Sequence, residues 1–311
     1  MRILIIDDIH QVFHDLMKAN GNEVIEAFDI SKSELINSLK DYDALVVRSK
    51  FFIDEEIINA MKKDFIVMRA GAGMDNINEE YAKQKGIKLI NAPEGNRTAV
   101  AEHVVGMLLT LLRNIHIANS EIRQKVWHRE ENRGYELKGR TVGIIGYGNT
   151  GKELAKKLSG FEVNVIAYDK YLSNYSDSYA KQVSMETLQD ESDIISLHIP
   201  LTSESSHLIQ QDFFNKLTKR PIIINSSRGK VIKTSDLIQA LKNGKVMGAA
   251  LDVLENEQLS TLQSDDLEWY NELVGMKNVI LTSHIAGWTF ESYYKISEVM
   301  AQKLLKLQYS L

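Results

Sequence analysis

The sequence predicts an α/β protein built from two doubly wound parallel sheets, and three observations carry that prediction. Short β-branched runs alternate with helix-period apolar spacing from one end of the chain to the other, the pattern of buried parallel strands covered by helices on both faces. A G-x-G-x-x-G turn sits mid-chain between one such run and a helix start. The length, 311 residues, exceeds what one ordinary core organises and suits two domains of roughly 100–200 residues each.

Taken in order, strands are expected at 3–6, 44–47, 65–68, 88–90, 141–145, 163–168, 194–197, 222–225, 248–250 and 279–281. The first is stopped at once by Asp7 and Asp8, and its apolar run is far too short for a signal-peptide core. Past residue 90 a strand-and-loop segment through Pro93, Gly95 and Asn96 gives way to a long helix from about Thr98 to Asn119. Its apolar residues, among them Val100, Val104, Met107, Leu108 and Leu111, have core spacing on more than one face. That surplus, with the Trp127 element after it, predicts a homodimer, closed two-fold dimers being the commonest oligomers. The last 22 residues read as an amphipathic helix with no strand of its own, expected to return to the first domain.

Composition narrows the function classes. The hydrophobic share of 44% and charged share of 25% are those of a soluble globular protein, and three prolines leave no stiff linker. A net charge of −5 gives no electrostatic case for nucleic acid or an anionic membrane, so a small-molecule partner is expected. With no cysteine, disulfides and thiolate sites are excluded, which fits a cytoplasmic protein, and no metal site is expected. The most apolar stretch, 99–112, is interrupted by Glu102 and His103 and falls short of the ~20 residues a membrane span needs.

The glycine turn lies in Thr141 through Ala155. Gly146 permits the tight turn, Gly148 lets a pyrophosphate approach the backbone, and Gly151 lets the helix pack close to the strand. The helix N-terminus then offers free N–H groups to phosphate. A second strand ends at Asp169, near the ~20-residue spacing of the carboxylate that binds ribose hydroxyls. Such a carboxylate repels a 2′-phosphate, so the cofactor is expected to be NAD. The expected architecture is a Rossmann nucleotide-binding domain, 96–289, inserted in a flavodoxin-like substrate domain, 1–95 and 290–311.

Three later stretches put polar residues where strands end: Asn225 through Gly229, Asp252 through Glu257, and Thr282 through Gly287. Ligands of open α/β sheets bind outside the carboxyl ends of strands, so these stretches are expected to share one crevice. Arg228, Glu257 and His284 suit hydride transfer to a keto acid. The chemistry needs a proton donor, a group that keeps an imidazole charged, and a cation to polarise the carbonyl. Spacing from Asp252 favours Glu257 over Glu255. His103 and His198 are read as packing or positioning groups, and the other five histidines, His10, His14, His116, His128 and His207, as surface or structural.

Together with Val47-Arg48-Ser49, Arg69 through Ile77, Asn91-Ala92-Pro93, Val100-Ala101-Glu102-His103 and His198 through Thr202, these stretches resemble the D-isomer-specific 2-hydroxy acid dehydrogenases over nearly the whole chain. The resemblance implies Arg228, Glu257 and His284 as catalytic residues. It implies a cofactor site lined by Asn149, Thr150, Pro200, Ser226, Asp252 and the His284–Gly287 backbone, with Asp252 accepting from the nicotinamide amide. It implies a substrate site of Arg48, Ser49, Arg228 and a backbone nest at Gly71, Ala72 and Gly73.

Within the family the resemblance leans to the branch acting on 3-phosphoglycerate in serine biosynthesis. Arg48, Arg69 and the Trp127-His128-Arg129 element are then the cations for a phosphate. Glyoxylate, hydroxypyruvate or another 2-keto acid is the alternative, and an NAD-sensing, corepressor-like binding protein is the alternative of another class. Departures from the family pattern are Gln258 and Ser283 at positions usually Pro, Phe51 at a common Thr, and a longer stretch at 258–275. With the chain read as ending at Leu311, feedback through an appended C-terminal module is not expected.

Overall fold

The computed structural model describes residues 1–309. The chain divides into two units, Met1–Arg97 with the chain from Trp288 onward, and Thr98–Gly287. The sequence-derived limits were 95/96 and 289/290, and residues 310 and 311 of that expectation lie outside the described residues.

The first unit holds a five-stranded parallel sheet of β1 (Arg2–Ile5), β2 (Glu23–Glu26), β3 (Ala44–Val47), β4 (Ile66–Arg69) and β5 (Lys88–Asn91), in the order β2-β1-β3-β4-β5. That is the flavodoxin-like order, with its switch point between β1 and β3. The two faces bury separate cores. Ile3, Ile5, Val46 and Met68 point to one side and Leu4, Leu45, Val47 and Val67 to the other, the period of two that a strand imposes. The helix Phe290–Gln308 covers the first of these faces with Ile296, Met300, Ala301 and Leu304.

The second unit holds β6 (Thr141–Ile145), β7 (Asn164–Tyr168), β8 (Lys181–Gln182), β9 (Ile194–Leu197), β10 (Ile222–Asn225), β11 (Gly248–Leu251) and β12 (Val279–Leu281). Its order is β12-β11-β10-β9-β6-β7-β8, all parallel. This is the Rossmann order with one strand added at the edge, and its direction of winding reverses between β6 and β9.

Three local expectations are corrected. β2 and β8 were not expected, because both are edge strands whose charged or polar residues hide the apolar run. The long helix starts at Pro93 and ends at Leu112, and a second helix, Ile115–Arg123, follows a break at Asn114, which sits at φ 51°. Proline is favoured in the first turn of a helix, where its missing N–H costs nothing. Gly95, which reads as a breaker, lies within this helix, and only glycine fits there because a Cβ would lie 2.7 Å from the backbone of Ile296. The stretch 258–275 is a 3₁₀ turn, Leu259–Thr261, and a helix, Ser264–Gly275, that buries Trp269 and Leu273.

Candidate active site

The site residues of the second unit sit beyond the carboxyl ends of β6, β7, β9, β10, β11 and β12. Gly146 adopts φ +94°, a region open to glycine at no steric cost, and a Cβ there would meet the carbonyl oxygen of His198 at 2.5 Å. The His198–Pro200 segment after β9 is thereby laid against the glycine turn, at the switch point. Gly151 is needed because its Cβ would come within 2.1 Å of the Gly146 oxygen. Gly148 instead faces open space and caps the helix Asn149–Leu158. The first-turn N–H groups of Asn149, Thr150 and Gly151 have no carbonyl four residues back within that helix, the arrangement that receives a phosphate.

Asp169 ends β7 and ties the two halves of this turn together. Its Oδ2 accepts from the Tyr147 N–H at 2.8 Å, and its Oδ1 accepts from the N–H groups of Tyr171 and Leu172 at 2.9 and 3.1 Å. Tyr147 is fully buried and donates its hydroxyl to Asp177. Burial and that carboxylate push the phenol upward, so it stays neutral. Lys170 beside Asp169 pairs with Glu204 at 2.6 Å, with about half of each side chain exposed.

The residues present fit a dinucleotide. Besides the turn and the open face of Gly148, the hydroxyl of Ser226 after β10 is buried with no partner among the described residues, a group a ligand would satisfy. His198 donates or accepts at Ser196 Oγ, 2.8 Å away, and desolvation pushes its pKa down to about 4, so it is a neutral positioning group.

Arg228, Glu257 and His284 come together by close backbone packing. A Cβ on Gly229 would overlap the Leu254 carbonyl at 1.8 Å, so the loop after β10 lies on the loop after β11. His284 Nδ1 is 3.0 Å from Glu257 Oε2, with about half of each side chain exposed. The hydrogen bond to Glu257 raises the imidazole pKa, desolvation lowers it, and the Arg228 charge opposes it from nearby. His284 has φ +56°, strain of about 1–3 kcal/mol for a non-glycine residue, of the kind that collects at functional sites.

Asp252 holds that conformation. It is buried, its carbonyl accepts from the His284 N–H at 2.8 Å, and its carboxylate accepts from the N–H groups of Ile285 and Ala286 at 2.9 and 2.8 Å. Glu255 is committed elsewhere, to His207 Nε2 and to the Thr234 N–H, each at 2.6 Å. Asn256 is fixed by Asp266 at 2.7 Å, and Asp266 also accepts from the Trp269 indole, so the helix 264–275 braces the turn that carries Glu257.

In the first unit, Arg48 and Ser49 follow β3 and Gly71, Ala72 and Gly73 follow β4. The N–H groups of Arg48, Ser49 and Lys50 all donate to one oxygen of Asp7, at 2.6, 3.0 and 3.1 Å. Sequence reasoning did not assign Asp7 this role, although its position directly after the first apolar run was the available signal. The Arg48 guanidinium stacks on Trp288 at 4.8 Å. The glycine nest is smaller than expected. The Gly71 N–H is taken by the Arg69 carbonyl at 2.8 Å, and the Arg69 guanidinium lies over Gly71, where a Cβ would come within 1.6 Å of it. His128 and Arg129 do not stand as free cations, being paired with Glu121 and Glu130.

Fold and site define a dinucleotide-binding α/β oxidoreductase with an imidazole–carboxylate pair at the sheet's carboxyl edge. Residues 105–286 match the family model "D-isomer specific 2-hydroxyacid dehydrogenase, NAD binding domain". The chain belongs to the D-isomer specific 2-hydroxyacid dehydrogenase family.

Among its relatives, the D-3-phosphoglycerate dehydrogenase of Archaeoglobus fulgidus is 37% identical over 99% of this chain and 57% of its own length. A hydroxypyruvate reductase of Thermotoga maritima is 34% identical over 98% of this chain and 97% of its own length. The chain thus spans little more than half the length of the phosphoglycerate dehydrogenases it matches. In structure it superposes on the D-lactate dehydrogenase of Aquifex aeolicus complexed with NAD and lactic acid. The TM-score is 0.83, at 26% identity over 100% of this chain and 97% of that one.

Proposed function

We propose that the protein is an NAD-dependent D-2-hydroxy acid dehydrogenase, and that His284, Glu257 and Arg228 carry its chemistry. The observation that supports this reading best is the 3.0 Å His284–Glu257 pair within the field of Arg228, at the same carboxyl edge of the sheet as a glycine turn fitted to a dinucleotide. When bound, the nicotinamide supplies or takes the hydride. Nδ1 of His284 is engaged by Glu257, so Nε2 is the nitrogen that serves the substrate. In reduction C2 gains the hydride, the carbonyl electron pair moves to oxygen, and His284 Nε2 gives that oxygen its proton. In oxidation the same nitrogen takes the hydroxyl proton, and Glu257 stabilises the imidazolium that forms. Arg228 binds the carboxylate and polarises the C2 oxygen. Asn149, Thr150, Asp169, Pro200, Ser226 and Gly287 are assigned to the cofactor. Asp252 has one carboxylate oxygen left with a single donor, to take the nicotinamide amide.

The leading substrate is 3-phosphoglycerate, oxidised at the head of serine biosynthesis, with Arg48, Ser49, Ala72 and Gly73 receiving the acid's anionic groups. Hydroxypyruvate is the second reading, favoured by the end-to-end match to the Thermotoga relative. The two keto acids differ only by a phosphate on C3. An NADH-oxidation screen with phosphohydroxypyruvate, hydroxypyruvate, glyoxylate and pyruvate separates them, and turnover of none of these defeats the dehydrogenase reading.

We also assign a homodimer through the second unit, because Ile115, Ile122 and Trp127 leave 52%, 53% and 79% of their surface exposed on adjoining segments. No helix among the described residues is long and apolar enough to cross a membrane. A cytoplasmic location is the reading that agrees with the absence of cysteine.

A further inference from the structure

We propose that His103 is a positioning residue for the His284 loop, acting through the Thr282 hydroxyl on the buried carboxylate of Asp252. The inference rests on the reading of His284 as proton donor, and it concerns a side chain on the helix Pro93–Leu112, away from the three stretches that carry the chemistry.

The hydrogen bonds have a fixed direction. Thr282 Oγ1 lies 2.5 Å from Asp252 Oδ1, and a carboxylate only accepts, so the hydroxyl proton is committed there. The same hydroxyl is 3.8 Å from Met107 Sδ, a far weaker acceptor. His103 Nε2, 3.1 Å from Thr282 Oγ1, must therefore donate. This requires a proton on Nε2 and gives a relay from His103 to Thr282 to Asp252.

The far end of the relay is the loop itself. Asp252 Oδ1 accepts from Thr282 and from the Ile285 N–H, its Oδ2 accepts from the Ala286 N–H, and its carbonyl accepts from the His284 N–H. Three successive N–H groups of the segment thus end on one residue whose side chain is fully buried. A buried carboxylate is held in place by the donors that satisfy it. His103 lies 3.6 Å from Oδ1 and does not donate to it; its N–H instead fixes the Thr282 hydroxyl that does. An apolar side chain of the same size fills the space on the helix but leaves Thr282 Oγ1 without its donor, so the hydroxyl is free to turn away from Asp252 Oδ1. The loop then relaxes from the left-handed turn at His284, and the imidazole loses its aim at Glu257.

The groups that act electrostatically on His284 are Glu257, Asp252 and Arg228, on the exits of β11 and β10. His103 is not in contact with the ring, so its effect on His284 is a report on loop position. The test is an imidazole titration by NMR with isotope-labelled histidine, His284 being assigned by its loss in His284→Ala. It compares wild type, His103→Leu and His103→Gln, since Gln carries an amide N–H to about the reach of Nε2.

The expected result is a downward shift of the His284 titration in His103→Leu and its recovery in His103→Gln. kcat for keto-acid reduction is expected to follow, falling by roughly ten- to hundred-fold and recovering, as displacement of a reacting group dictates. An unmoved titration in His103→Leu, or a shift that Gln does not reverse, overturns the proposal. Thr282→Val breaks the same relay and replaces the Leu variant if that one does not fold. The titration needs no turnover, so an inactive wild type would count against the dehydrogenase reading alone.

Discussion

Glu257 Oε2 lies 3.0 Å from His284 Nδ1, while Glu255, two residues earlier, gives both its oxygens to His207 and the Thr234 backbone. The two carboxylates therefore differ in what their loss does. Glu257 raises the His284 pKa, so the imidazolium is present below that pKa and is lost as pH rises through it. In the proposed mechanism keto-acid reduction consumes the imidazolium. In Glu257→Gln the fall in kcat/KM for reduction moves to lower pH, and acidification restores much of the rate. Glu255→Gln leaves that profile in place and lowers Tm instead, because it weakens an anchor between the loop and the Thr234 helix start. A profile unmoved in Glu257→Gln removes Glu257 from the mechanism.

His284→Ala deletes the proposed proton donor without touching the glycine turn. General acid–base catalysis typically contributes about 10²–10⁴-fold, so kcat falls by that order while NADH still binds. Stopped-flow reduction and NADH fluorescence titration measure the two separately, and near-wild-type turnover would rule out the mechanism.

Asp169 bears on cofactor choice twice. Its charge opposes a 2′-phosphate, and its Oδ2 also fixes the Tyr147 N–H of the glycine turn. Asp169→Ala is expected to narrow the preference for NADH over NADPH and also to raise KM for both. Lys170, the neighbouring cation that would favour a 2′-phosphate, pairs with Glu204. Equal kcat/KM with the two cofactors in the unmodified protein contradicts the ribose-hydroxyl assignment.

Much of this was legible in the sequence because buried parallel strands are read from short apolar runs alone. β6, β9, β10 and β12 fall on the expected residues. β2 was not legible: Glu23 and Glu26 bracket its two apolar residues, and only pairing with β1 makes it a strand. The start of the long helix was misplaced for a different reason. Gly95 disfavours a helix locally, and the contact with Ile296 that requires a glycine there lies some two hundred residues along the chain. At the site, Arg228, Glu257 and His284 were identifiable as strand-end polar residues. The relay from His103 was not, because hydrogen-bond direction and the crossing of a helix over a strand exit are properties of geometry.

The exposed apolar residues of the second unit give a test of assembly. Trp127→Glu places a charge on a side chain that is 79% exposed, so a monomer tolerates it while a dimer seated on that patch pays desolvation of an unpaired carboxylate. Light scattering at micromolar concentration is expected to report a dimer for the wild type and a shift toward monomer for the variant. A monomeric wild type refutes the assignment.

The contact between Gly95 and Ile296 also sets a timetable for synthesis. The first five strands leave the ribosome before the helix that covers one face of their sheet with Ile296, Met300 and Leu304. The whole second unit emerges in between and is complete before that helix appears. At ~5–20 residues per second the interval is on the order of ten seconds or more, during which the early sheet shows bare aliphatic side chains to solvent. The inserted unit is therefore expected to become native first, with the nascent sheet of the first unit a client for chaperones until the helix Phe290–Gln308 has emerged.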